Sequence, residues 1–204
     1  MQKTVVSGTF LWSAWQPDRN IFFNSCFIET PEGNLIVDPL PLNESDAAEI
    51  DARGGAAWVI ITNRDHQRDA ENVARRFTAK IAASALDADE MSISVDRLLS
   101  DGDVIATARV IGLEGMKTPG EFALFFSDRS MVLAGDALWG DPAGSVRLMP
   151  DEKLADPVQA ARSLGKVRAL SPKHVLLGDG APIFGGAFEA ICACLDARGD
   201  AVKN

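Results

Sequence analysis

The chain has 204 residues, 47% of them hydrophobic and 24% charged, enough to bury a sizeable core and too apolar for a disordered chain. A formal net charge of −9 opposes the attraction to phosphate on which nucleic-acid affinity rests, and no lysine or arginine cluster breaks that balance, so neither nucleic acid nor an anionic membrane is expected as a partner. No apolar run approaches the roughly 18 residues of a membrane span, and the opening MQKTVVSGTFLWSAWQPDR has neither a basic start nor a clean apolar stretch, so the expected location is cytoplasmic.

In chain order, NIFFNSCFIET and NLIVDPL are β-rich runs separated by PEG, which predicts a hairpin. DAAEIDARG predicts a short helix ending at Gly54, and AAWVIIT a buried strand. In RDAENVARRF, Ala70, Val73, Ala74 and Phe77 share a helical face, and the Asp69 carboxylate is placed to accept free N–H groups of the first turn. KIAAS reads as a short strand, DRLLSDGDVI as a strand broken by a turn, and ATARVIGLEG as another strand. EFALFFSDRSMVLAGDAL gives two apolar strands around the polar turn SDRS. A helix over DPVQAARSLGKVRAL, a strand HVLLGDG and a last helix from about Gly186 complete the chain. With no linker, repeat or low-complexity segment, residues 1–204 are expected to form one α/β domain, with strands in two groups and helices outside.

Three cysteines, Cys26, Cys192 and Cys194, are an odd number and argue against a disulfide framework. Cys192 and Cys194 lie two apart on a helix, about 200° round the wheel, which points to separate buried, inert thiols rather than a metal pair.

Polar residues collect where strands end: Asp38 after LIV, the loop Asn63 to Arg68 after WVIIT, Lys117 before TPG, Asp136 after MVLAG and Asp179 after VLLG. Such ends are where α/β proteins place their sites. Over residues 20 to 181 this ordered set resembles the metallo-β-lactamase superfamily. CFIETPEGNLIVDPL is similar to that family's opening hairpin ending in an aspartate, and IITNRDHQRDA stands where it has a THxHxDH loop. KTPG stands for its HTPG, LAGD for its GD strand end and LLGDG for its GHG.

The resemblance implies a four-layer αββα sandwich of two mixed sheets, with helices on the outer faces and a two-metal site, usually zinc, on one sheet edge. Carried over by position, the loop's three histidines fall on Asn63, Asp65 and Arg68 and its aspartate on Gln67. The histidine before TPG falls on Lys117 and that of GHG on Asp179, so that only the bridging aspartate, Asp136, is kept. Zinc sites need deprotonated nitrogen, sulfur or carboxylate donors, whereas Lys117 and Arg68 are cations at ordinary pH. The family geometry puts Lys117 with Asn63 and Asp65 in the first half-site, and Arg68 with Gln67 and Asp179 in the second. The two cations are therefore expected to replace the two metal charges and pair with Asp65, Asp136 and Asp179, with Asp38 orienting the loop from behind. His66 lies between the ligand positions and either turns into the cleft or caps the next helix.

Three functions follow as expectations. The first is a metal-independent or non-catalytic protein with no cofactor, binding a small anionic or carbonyl-bearing molecule between Arg68, Lys117 and His66. The second is a hydrolase using a single divalent ion held by Asp65, Asp136 and Asp179, with His66 as a further ligand. The third is an interaction protein whose altered edge and tryptophans form a homodimer face. Trp12, Trp15 and Trp139 are read either as a pocket mouth or as core, and His174 as a surface residue.

Overall fold

The computed structural model describes residues 1–201, with side chains through Arg198. Its elements in order are β1 (Gln2–Lys3), β2 (Thr9–Gln16), β3 (Ile21–Ile28), β4 (Leu35–Val37), α1 (Glu44–Ala52), β5 (Trp58–Ile61), α2 (Ala70–Phe77), β6 (Lys80–Ser84) and β7 (Arg97–Leu99). Then come β8 (Val104–Ile105), β9 (Ala108–Gly112), β10 (Phe122–Phe126), β11 (Met131–Gly140), α3 (Pro157–Ala169), β12 (His174–Gly180), β13 (Ile183–Phe184) and α4 (Ala187–Ala201).

Among the described residues the strands make one curled mixed sheet, in the order β7-β6-β5-β4-β3-β12-β11-β10-β9-β8, with β2 and β1 continuing from β3 and β13 paired to β12. The stretch β4 to β7 is parallel throughout, so those strands end on the same edge. β11 and β12 are also parallel, and β3 meets β12 at the single register pair Asp179–Phe23. At that narrow joint the sheet folds over, and its two halves face each other.

Three apolar layers follow from this bend. Ile28, Leu35, Val37 and Ile60 of one half pack against Val110, Phe122, Leu124 and Leu133 of the other. Ile36, Val59 and Ile61 point outward under Ile50 of α1 and Val73 of α2. Val132, Ala134, Val175 and Leu177 lie under Leu164 and Val167 of α3 and Ile191 of α4. Helix, sheet half, sheet half, helix is the four-layer arrangement expected from the sequence, and each fully buried aliphatic in it contributes roughly 1.5–3 kcal/mol of transfer free energy.

Local chemistry sets the ends. Asn43 caps α1 by accepting from the Asp46 N–H, and Asp156 caps α3 by accepting from the N–H groups of Val158 and Gln159, with Pro157 in the first turn. At α2 the expectation fails: Asp69 makes no capping bond, because its carboxylate accepts from the Asn72 side chain and its backbone is not extended as a cap requires. β1, β2 and β13 are additions to the strands read from the sequence. The described residues contain no helix long and apolar enough to cross a membrane, and the three cysteines are free thiols, Cys26 buried as expected but Cys192 and Cys194 only half-buried on α4.

Candidate functional site

The loop between β5 and α2 holds the centre of the site. Asn63 opens a single 3-10 turn, Arg64–His66, by accepting from the Asp65 N–H at 3.0 Å. That turn decides which side chains face inward. His66 is 5% exposed and points beneath the loop, while Asp65, in the preceding position, points to solvent.

Asp38, at the end of β4, organises what His66 meets. Its Oδ1 accepts from the Thr62 N–H at 2.8 Å, and its Oδ2 accepts from the Thr62 hydroxyl at 2.6 Å and lies 2.9 Å from His66 Nδ1. The other ring nitrogen, Nε2, is 3.4 Å from Asp136 Oδ1 at the exit of β11. Burial by itself lowers the pKa of this imidazole, but the Asp38 charge and hydrogen bonds to Asp136 and Asp38 outweigh it and raise it to about 10. That upward shift, which the neighbouring Arg68 charge opposes, favours the imidazolium, with Nδ1 against Asp38 and Nε2 facing Asp136. Asp136 is pulled up by burial and down by its hydrogen bond to His66 and the charges of His66, Lys117 and Arg68, and the net position is below the usual carboxylate range.

Arg68 turns back under the loop with a left-handed backbone (φ 41°), an uncommon conformation for a non-glycine residue. Its Nη1 donates to the carbonyls of Asn24 at 2.6 Å and Asp38 at 3.0 Å. Its Nη2 lies 3.5 Å from Asp179 Oδ1 and 3.4 Å from His66 Nε2, and the guanidinium stands over the Phe23 ring. The contact to Asp179 is an ion pair without hydrogen-bond geometry, so that among the described residues Asp179 Oδ1 has no hydrogen-bond partner. Burial, and then the neighbouring Asp136 charge, raise Asp179 to about 6.

Lys117 pairs with Asp65 at the open side of the cleft, where each side chain is 39% exposed. The geometry thus brings Lys117 to Asp65, Arg68 to Asp179, and His66 to Asp38 and Asp136. Two details differ from the sequence reading. Among the described residues neither Lys117 nor Arg68 pairs with Asp136, which faces His66 instead, because Lys117 is engaged by Asp65 and backbone carbonyls hold the Arg68 guanidinium on the Asp179 side. Gln67 leaves the site altogether, donating to the Arg64 carbonyl and accepting from Ser92.

The donors that converge are His66, Asp136 and Asp179, whose ligand atoms all lie within 4.8 Å of one another. Asp65 is not among them, which corrects the ligand set expected for a single ion: its carboxylate is spent on Lys117 at the surface. Of the positions carried over from the two half-sites, Asn63, Gln67, Arg68 and Lys117 supply no anionic or imidazole donor, which leaves Asp65 in the first and Asp179 in the second. A single ion finds three donors, and an imidazole whose far nitrogen is oriented by a carboxylate. It would meet the Arg68 guanidinium beside the very nitrogen needed for ligation.

Several contributors are not visible as candidates in the sequence. Thr62 ties Asp38 to the loop. Glu121, 2% exposed at the start of β10, accepts from the Ala137 N–H at 3.1 Å, and burial followed by the Asp136 charge raises its carboxyl well above the usual range. Gly135 and Gly178 allow the close approach. A Cβ at 135 would lie 2.2 Å from Thr62 Oγ1, and one at 178 would lie 2.8 Å from His66 Cε1. The glycines of LAGD and LLGDG carry this signal, as residues needed where backbone meets side chain.

Of the three tryptophans considered for a pocket mouth, Trp12 is core, donating to the Leu40 carbonyl, and Trp139 is buried beneath Arg147 and Lys153. Only Trp15 is exposed, edge-on to the exposed Phe22 at 4.9 Å between ring centres. These two rings flank a cavity of about 450 Å³ that reaches Asn24 and Gly180, the neighbour of Asp179. His174 is half-buried, its Nδ1 accepting from the Gly185 N–H at 3.2 Å.

A curled mixed sheet folded over between two helical layers, with a polar cluster at its strand ends, defines an αββα sandwich fold. The family model of the metallo-β-lactamase superfamily matches residues 2–192, and the chain belongs to that superfamily. Among solved structures it is similar to TTHA1623 in a di-iron-bound form, at 22% identity and a TM-score of 0.69, over 89% of this chain and 96% of that one. DIM-1 metallo-β-lactamase exposed to ceftazidime gives 13% identity and a TM-score of 0.75, over 96% of both chains. A β-lactamase domain protein from Burkholderia ambifaria gives 18% and 0.73, over 98% of this chain and 73% of that one. At these identities the likeness is one of fold. No curated protein matches the chain in sequence.

Proposed function

We propose that this protein is a metal-independent member of its superfamily that binds a small anionic or carbonyl-bearing molecule, with side-chain cations in the place of metal charge. The observation that carries this reading is Arg68. Its guanidinium, 8% exposed, is fixed by two backbone carbonyls and set against Asp179 and His66. Swinging it away to admit an ion would break both bonds and leave the Asn24 and Asp38 carbonyls without that donor. The His66 imidazolium supplies a second buried cation, between Asp38 and Asp136. Lys117 is the reachable cation, and the cavity beside Trp15 and Phe22 suits a ligand with a flat apolar body.

One observation favours a second reading, in which His66, Asp136 and Asp179 hold one divalent ion and the protein is a hydrolase. Their donors converge, and such an ion would supply Lewis acidity and an acidic bound water. It would need His66 neutral at Nε2 and Arg68 displaced.

Elemental analysis of untagged protein, before and after dialysis against zinc, manganese and iron, separates the two. Substoichiometric metal in every condition, with saturable quenching of tryptophan fluorescence by benzoate that is lost in Lys117→Met, is the expected result. A stoichiometric ion that disappears in Asp136→Ala would overturn the metal-independent reading.

A further inference from the structure

The turn that follows β6 buries a carboxylate outside the cleft. Asp87 is 0% exposed and stands at the head of the one-turn helix Ala88–Glu90, yet its side chain makes no capping bond there. It reaches across instead. Oδ2 accepts from the Arg64 N–H at 2.9 Å, and Oδ1 accepts from the Gly120 N–H at 2.9 Å. Arg64 immediately precedes Asp65, and Gly120 closes the KTPG stretch that begins with Lys117. One buried carboxylate therefore holds both loops whose side chains meet at the open side of the cleft.

The contact is built from both sides. A Cβ at Gly120 would stand 2.4 Å from Asp87 Cγ, so the glycine of KTPG is the residue that lets the carboxylate reach the backbone. The segment behind Asp87 grips the same loop again, through the ion pair of Glu90 with Arg64 and the bonds from the Ser92 N–H and hydroxyl to Gln67 Oε1. Between Lys117 and Gly120, Pro119 has a fixed φ and restricts Thr118 before it, which makes that stretch a stiff arm. Relative strength settles which contact sets the other. Lys117 and Asp65 are each 39% exposed, and such pairs contribute little, whereas a buried carboxylate accepting two N–H groups is costly to break. The clamp places the pair, and the pair does not place the loops.

We propose that Asp87 is the positioning residue of the cleft. By accepting from Arg64 and Gly120 at once it fixes the span between Asp65 and Lys117, and with it the place of the cation that a ligand can reach. It touches no ligand itself. The ligand part of this inference rests on the metal-independent reading of the site, and the geometric part does not.

The test uses the full chain, isotope-labelled for NMR. In the natural protein the Arg64 and Gly120 amide protons should be protected from exchange to a similar degree, because one carboxylate releases both, and an NOE should join the Lys117 ε-methylene to the Asp65 β-methylene. Asp87→Asn keeps the volume but turns an amide NH₂ against one of the two N–H groups. It should erase that NOE and weaken benzoate binding, read from tryptophan quenching, about tenfold, the factor that one charged hydrogen bond supplies. Asn34→Ala, which removes the bonds to the Arg53 and Gly55 carbonyls at the far end of β4, controls for lost stability and should leave both readouts unchanged. Free exchange of either amide in the natural protein, an Asp87→Asn variant that keeps the NOE, or equal loss of the NOE in Asn34→Ala would overturn the proposal, and the exchange result decides even where Asp87→Asn does not fold. Should the natural protein fail to bind benzoate while protection and NOE behave as stated, the reading of the site falls and the role of Asp87 stands.

Discussion

Replacing His66 by glutamine tests the charge at the centre of the site. The imidazole pKa rises from 6.5 to about 10 on folding, and at about 1.4 kcal/mol per pH unit that gap corresponds to at most about 5 kcal/mol of stability. The folded pKa lies above the unfolded one, so this contribution is complete below pH 6.5 and is lost as pH rises toward 10. Urea unfolding of the natural protein between pH 7 and 9.5 should therefore show stability falling, with a limiting slope of about 1.4 kcal/mol per pH unit. His66→Gln should be less stable at pH 7 and should have lost most of the slope. With two histidines in the chain, ring ¹⁵N shifts report the state directly, and His174, lowered by burial and by Lys173, titrates on the acid side of its ordinary value. An unchanged slope in the variant, or a His66 ring that is neutral at pH 7.5, would refute the imidazolium bridge.

Asp179 has the opposite sign for a carboxylate. Its pKa, raised from 3.8 to about 6, makes the ionised form a penalty that grows as pH rises through that window, so Asp179→Asn should gain about 1–2 kcal/mol at pH 8 after loss of the Arg68 pairing, and nothing at pH 4, in thermal scans. Asp38→Asn disturbs the acceptor of the Thr62 N–H, the Thr62 hydroxyl and His66, and should cost about 3–5 kcal/mol in urea unfolding, as breaking a buried charge network does. Lys117→Met, by contrast, removes half of an exposed pair and should change stability by less than about 1 kcal/mol while abolishing benzoate quenching. Gly135→Ala forces a methyl against Thr62 Oγ1 and should cost about 1–3 kcal/mol or more, read as a lowered urea midpoint with displaced His66 ring signals.

Most of the fold is legible in the chain because its signals are local. Alternation and apolar runs mark β3 to β6 and β9 to β12, and Asp156-Pro157 marks the start of α3. β2 is harder: its residues TFLWSAWQ alternate between buried and exposed only in part, and what makes them a strand is β3, against which they pair from Thr9–Ile28 to Gln16–Ile21. Asp69 shows the converse. Its type suits a helix cap, but the backbone that a cap needs is fixed by the loop, and Asn72 takes its carboxylate instead.

At the site, the sequence alone determined which charges stand at the strand ends: Lys117 and Arg68, with Asp38, Asp136 and Asp179 around them. Residue type fixes charge, and order along the strands fixes which ends come together. Tertiary structure alone decided the facing. The one-turn helix after Asn63 sends Asp65 outward to Lys117 and His66 inward, and the carboxylate that receives His66 comes from Asp38, 28 residues earlier. Glu121 likewise has no motif to announce it. Its burial, its bond to Ala137 and its unmatched oxygen arise only when β10 packs beside β11, because a desolvated carboxyl is a property of its surroundings and not of its neighbours in the chain.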